Sequence, residues 1–218
     1  MNQTRARFLA LWSRSGGVQA EEAYADLARH YAEPTRHYHT LHHIRRCLRD
    51  LDWARTEIPD PDAVELALWC HDVIYIPGAA DNEQRSAEWF QRRAGGRIVA
   101  SDRIAVMILD TAHTRVPADL AGRFTVDIDL AVLGRARGSF RRDAANLRAE
   151  RLDLDDATYD TAERAFLSKL LARLPVYQTE LFQARFEARA RHNLAWRLAQ
   201  PVPHSSRLVP LNDDPAGA

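Results

Sequence analysis

Lysine is nearly missing from this chain: Lys169 is the only one among 30 basic residues, and the rest are arginine. The 30 basic side chains are balanced by 30 acidic ones, so the formal net charge is zero and no global basic field points to nucleic acid. We read the arginine excess as a compositional habit of the source genome, not as a phosphate-binding face. Cysteine is scarce as well. Cys47 and Cys70 form no Cys-x-x-Cys pair and both fall in apolar helical patterns, which predicts reduced core thiols in a cytosolic protein, not a disulfide framework. No run approaches the roughly 20 apolar residues needed to span a bilayer. The apolar stretch from Phe8 to Trp12 is too short for the core of a signal peptide and is followed by Arg14. These absences predict a cytoplasmic protein with no membrane partner and no specific nucleic-acid partner.

Strand signals are nearly absent too. Alternation of apolar and polar residues is rare, β-branched runs are short, and helical spacing recurs from end to end. Helices are expected over about Thr4–Ser13, Gln19–Ala32, Tyr38–Arg55, a fourth capped by Asp60 or Asp62 and ending near His71-Asp72, a fifth opening at Asp81 and closed by Gly95-Gly96, and Ser101–His113. The apolar segment Leu120–Leu133 follows, then helices over about Ser139–Leu152, Asp156–Leu174 and Gln178–Ala199. The 46% hydrophobic content suits a packed core. The expectation is one compact all-α domain over residues 1–200, with residues 201–218, which hold four prolines, as a poorly ordered tail.

Polar residues break this apolar pattern at three places. Ala67-Leu68-Trp69-Cys70-His71-Asp72 is an apolar run that ends in a histidine beside an aspartate. A charge buried there needs a partner, and a divalent ion is one way to supply it. Four of the nine histidines (His37, His39, His42 and His43) fall within seven residues, and on a helix His39 and His43 would share a face. The third place is Asp127-x-Asp129 among apolar neighbours. Residues two apart on a helix point in roughly opposite directions, so one ion would take only one of them, and spacing alone does not say which.

In this order the residues resemble the HD superfamily of metal-dependent phosphohydrolases, in particular its small single-domain bacterial members. The resemblance rests on Pro34-x-Arg36-x-Tyr38-His39-x-x-x-His43-Ile44 and Ala67-Leu68-Trp69-x-His71-Asp72-x-Ile74-Tyr75. It continues through Asp81-Asn82-Glu83-x-x-Ser86-Ala87, Asp127-x-Asp129-Leu130-Ala131-x-Leu133-Gly134, Tyr177-x-Thr179 and Ala190-Arg191-x-Asn193-Leu194. It implies an all-α HD fold, metal ligands at His43, His71, Asp72 and Asp129, and His39 as the acid that protonates the leaving group. It leaves Asp127 as a supporting or helix-capping residue. Where one nucleotidase branch carries a glutamate three residues after the aspartate, this chain has Tyr75. Glu83 is then the nearest later acid or base, although with Asp81 capping and Gln84 in the capping-box position it also suits the helix dipole.

The expected chemistry is metal-dependent hydrolysis of a phosphate ester, from a nucleotide or other small phosphorylated metabolite, by a water held on the ion. Manganese, cobalt, magnesium, nickel and iron all fit mixed nitrogen and oxygen ligands. His39, Asp72 and Glu83 are the expected catalytic groups. Arg36, Asn82 and His113 are expected to bind substrate, Arg36 by a bidentate fork on phosphate. Two alternatives stand beside this reading. One is a metal-containing module that binds or senses a nucleotide without turnover. The other is di-iron oxidative chemistry, for which His42 and His113 are the spare ligands.

Overall fold

The helix most deeply placed in the fold is also the most apolar, α4 (Pro61–Cys70), in which every residue from Ala63 to Cys70 is buried. A helix with apolar residues all round belongs inside a core. Around it in the computed structural model, which describes residues 3–202, lie α1 (Gln3–Arg14), α2 (Ala20–His30), α3 (Leu41–Ala54), α5 (Asn82–Ala94), α6 (Ser101–Asp110), α7 (Leu120–Asp129), α8 (Arg137–Ala149), α9 (Asp156–Leu171) and α10 (Glu180–Leu198). Short 3₁₀ turns follow α3 at Arg55–Glu57 and α7 at Leu130–Gly134. No strand occurs among the described residues, so the protein is all-α as expected. The expected tail lies outside the described residues from position 203 onward.

Helix α4 packs against α1, α3, α5, α6 and α7. Its one buried acid, Glu65, is answered by Arg7, whose Nε and Nη2 donate to the two carboxylate oxygens at 2.7 and 2.9 Å. Arg55 Nη1 adds a third bond at 3.3 Å. Paired in this way the charge is tolerated where a lone one would not be. Phe8 stacks on Trp12 and meets the edge of Trp69 with ring centroids 5.4 and 5.3 Å apart, which locks α1 onto α4. A second aromatic group, Phe124, Tyr177, Phe182 and Phe186, joins α7 to α10. Between them the 3₁₀ turn approaches α10 so closely that a Cβ on Gly134 would lie 2.6 Å from Phe186 Cβ, so only glycine fits there.

The helix boundaries differ from the sequence expectation where side chains intervene. Helix α3 starts at Leu41, not near Tyr38, because Thr40 takes extended backbone and its hydroxyl accepts from His42 N at 3.2 Å. His39 therefore precedes the helix, and the shared-face argument for His39 and His43 does not hold. Asp60 is the cap of α4, accepting from Ala63 N at 3.2 Å. Asp81 makes no side-chain cap bond to α5; its carboxylate pairs with Arg85 at 2.8 Å. Helix α6 ends at Asp110, short of His113. The apolar segment Leu120–Leu133 changes from α-helix to 3₁₀ after Asp129.

Asp127 is the anchor between α7 and the start of α10. It is fully buried and accepts from Gln178 N, Thr179 N and Thr179 Oγ1 at 2.7, 2.8 and 2.7 Å. Burial pushes its carboxyl up to about 6, against these three donors, which hold it down. An amide offers a single acceptor and would face a donor with its own NH₂ group. Asp127→Asn is expected to lower unfolding free energy by about 1.5–3 kcal/mol, the range for hydrogen bonds to a charged group. Urea denaturation checks this.

Candidate metal centre

The four expected ligands gather around two imidazole nitrogens, with Asp72 and Asp129 each close to both. His43 lies in the first turn of α3, His71 and Asp72 follow the last residue of α4, and Asp129 is the last residue of α7. His43 Nε2 lies 3.2 Å from His71 Nε2, 3.6 Å from Asp72 Oδ2 and 3.1 Å from Asp129 Oδ1. His71 Nε2 lies 2.9 Å from Asp72 Oδ2 and 3.3 Å from Asp129 Oδ1. Nitrogen and oxygen ligands about 2.0–2.2 Å from a divalent ion stand about 2.8–3.6 Å from one another at right to tetrahedral angles. The donor set therefore fits an ion. The imidazoles are 1–3% exposed and the two carboxylates 15%, so the site is reached from the carboxylate side.

The surroundings aim the donors. His71 Nδ1 sits 2.9 Å from Leu68 O, which places its proton on Nδ1 and turns the Nε2 lone pair to the centre. Burial lowers the His71 pKa, but the charges of Asp72 and Asp129 outweigh it and hold the imidazole well above the ordinary histidine value. Burial would raise both aspartates, but the facing imidazoles keep Asp72 and Asp129 below the ordinary carboxylate range. Cys47, one turn along from His43, brings its sulfur to 3.6 Å of His43 Nε2. Burial pushes its thiol well up, with Asp129's charge adding to the effect.

His39 stands beside this cluster with its ring centroid 6.4 Å from that of His43 and stacked at 4.0 Å on Tyr75. Its Nδ1 lies 2.5 Å from Glu150 Oε2. The other oxygen of Glu150 accepts from the backbone N–H groups of His37, Tyr38 and His39 at 2.7, 2.7 and 2.9 Å. Burial would lower the His39 pKa, but Asp72 and Glu150 raise it above the ordinary value. Glu150 was not legible in the sequence. It lies just past the end of α8, between an alanine and an arginine, a setting typical of a solvated helix end, yet it is only 3% exposed. Glu83, in the first turn of α5, is partly buried. Burial raises its carboxyl, and the charge of Asp72 raises it further. Of the remaining histidines in the cluster, His37 and His42 point to solvent.

Three expected substrate contacts prove to be differently engaged. Arg36 is buried. Its Nε donates to Glu33, Nη1 to the carbonyls of His39 and Asp72 at 3.3 and 2.6 Å, and Nη2 to that of Val73 at 2.9 Å. No fork is left for a phosphate, and its work is to tie the His39 loop to the end of α4. Asn82 accepts from Ile76 N at 2.8 Å and donates to Ile76 O at 3.0 Å, so its amide holds the loop before α5. His113 places Nε2 2.9 Å from Asp129 Oδ2, at the rear of a ligand. No helix among the described residues is long and apolar enough to cross a membrane. Compared with protein-family models, curated proteins and solved structures, the chain matches none.

Asp72 and Asp129 favour the protonated form of His71, and an ion held here would take the same Nε2, so metal binding is expected to release a proton. Affinity for Mn²⁺ or Co²⁺ is therefore expected to fall as pH drops below the raised His71 value, by about tenfold per pH unit for one displaced proton. Titration calorimetry in buffers of different ionisation enthalpy measures that proton directly. An affinity independent of pH would place the ion elsewhere.

Proposed function

We propose that this protein is a metal-dependent phosphohydrolase of the HD superfamily, acting on a phosphate ester of a nucleotide or another small phosphorylated metabolite. The observation that carries the reading is the gathering of His43, His71, Asp72 and Asp129 from the ends of three helices, the two imidazole nitrogens 3.2 Å apart and each 2.9–3.6 Å from an oxygen of both aspartates. Beside them stands a histidine held by a buried carboxylate. A divalent ion held by these four residues supplies charge neutralisation at a phosphoryl group and lowers the pKa of water. Asp72 and Asp129, ionised and partly exposed, are placed to accept a proton from the attacking water. His39, with Nδ1 on Glu150 and its pKa raised, presents a protonated Nε2 and gives that proton to the leaving oxygen. Glu83 is the second candidate acid or base, since burial keeps its proton at higher pH than usual. With Arg36 and Asn82 committed to backbone groups, phosphate recognition falls to the ion and to His39.

The test is release of phosphate or nucleoside from a panel of phosphomonoesters, nucleotides and phosphodiesters. Metal-stripped protein is assayed with and without added Mn²⁺ or Co²⁺. Asp72→Ala is expected to lose metal binding and turnover together. His39→Ala should keep the ion and lose about 10²–10⁴-fold in kcat. Glu150→Gln should bind metal like the wild type, turn over more slowly and carry its alkaline limb at lower pH, because one charge that holds the His39 proton is gone. Nucleotide binding without product across the panel would favour a sensing module instead.

A further inference from the structure

The turn after α6 carries a cost at one residue. His113 has φ +55°, in the left-handed region that non-glycine residues adopt uncommonly and at some backbone cost, histidine more readily than most. The other described non-glycine residue in that region, Gln19, is exposed, whereas His113 is 8% exposed. His113 Nδ1 is buried with no hydrogen-bond partner, a further cost. The turn is nonetheless held firmly. His113 N donates to Asp110 O at 3.0 Å, and Arg173 donates to the His113 carbonyl from the segment after α9. What the arrangement achieves is one contact, His113 Nε2 to Asp129 Oδ2 at 2.9 Å. The other oxygen of the same carboxylate, Oδ1, is the one that faces His43 and His71.

We propose that His113 is a positioning residue: its Nε2–H holds Asp129 Oδ2, so that Oδ1 alone is presented to the ion as a single-oxygen ligand. Without that bond the carboxylate can rotate about its last torsion and offer either oxygen or both. A carboxylate already oriented loses less freedom when the ion arrives, and partners behind a ligand are typically worth about 10–100-fold in metal affinity. The inference rests on the proposed metal centre and removes His113 from the substrate contacts.

Two variants of similar bulk separate positioning from packing. His113→Gln keeps an N–H donor near the Nε2 position without the ring. His113→Phe keeps the ring without the donor. Both retain the backbone strain, and thermal melts of the metal-free proteins establish that each is folded. By titration with Mn²⁺ or Co²⁺, His113→Phe is expected to bind about 10–100-fold more weakly than the wild type, and His113→Gln within a few-fold of it. The reverse order, with Phe like the wild type and Gln weakened, would show that the ring only fills space and overturn the proposal. A second equivalent of metal in the wild type that both variants lose would make His113 a ligand and overturn it equally. A wild type that binds no ion removes the metal centre itself, which distinguishes failure of the underlying reading from failure of this inference.

Discussion

Two imidazole nitrogens 3.2 Å apart, each with an oxygen of both Asp72 and Asp129 2.9–3.6 Å away, are the constraint that the rest of this fold answers. Like-charged oxygens repel, imidazole lone pairs repel, and burial penalises each charged form. The charges of Asp72 and Asp129 raise the His71 pKa while the imidazoles lower those of both aspartates, so each side favours the charge that offsets the other. Such an arrangement persists only if the surrounding structure is stiff enough to prevent its relaxation. The apolar helix α4, buried from Ala63 to Cys70 and pinned by aromatic packing on α1, supplies that stiffness directly behind His71.

The site lies where helices end, and helix ends have polar needs of their own. The last carbonyls of a helix lack partners within it. At the end of α4 those partners are site residues or their neighbours. His71 Nδ1 meets Leu68 O, the Tyr31 hydroxyl donates to Trp69 O at 2.9 Å, and Arg36 covers the carbonyls of Asp72 and Val73. The bonds that finish the helix are thus the bonds that orient the ligands. This explains why Arg36 and Asn82, polar residues next to the centre in sequence, are buried in the scaffold and not presented to a substrate. A guanidinium that satisfies three backbone carbonyls in a half-dry loop would leave them unpaired if it moved to a phosphate.

The fold class, and the placing of His43, His71 and Asp72 together, were legible because they rest on signals local to a few residues. Helical periodicity needs only a window of sequence, and a histidine beside an aspartate at the end of an apolar run is conspicuous in one dimension. Spacing left the choice between Asp127 and Asp129 open and only the resemblance implied Asp129; the position of α10 gives the physical reason, since Asp127 serves Gln178 and Thr179, some fifty positions away in the chain. Glu150 was invisible for the same reason, since its partners His37, Tyr38 and His39 lie more than a hundred residues upstream and its own neighbours look like a helix surface. The reading of Arg36 failed on chemistry instead of distance. Arginine beside a phosphate-type motif suggests a fork, but the unpaired carbonyls that claim it cannot be seen without the backbone.

Asp127 and Asp129 show how the same side chain, two positions apart on one helix, acquires opposite character. Asp127 faces neutral donors in a dry setting, and burial pushes its carboxyl up to about 6. Asp129 faces imidazoles, and its carboxyl is held far below the ordinary value. The first is suited to joining helices, where a fixed set of N–H groups defines the geometry. The second is suited to an ion, because it stays ionised and partly exposed while its neighbours change protonation. The half-turn of helix that separates them also marks the change to 3₁₀ after Asp129, which ends the α-helix on that carboxylate. Placing the ionised carboxylate on the terminal residue leaves the helix interior free to pack. The crowded polar groups therefore lie at helix ends, His43 in the first turn of α3, Asp129 on the last residue of α7 and His71 and Asp72 just past α4, and the left-handed histidine lies in the turn after α6, so the apolar stretches inside the helices are left to carry the core.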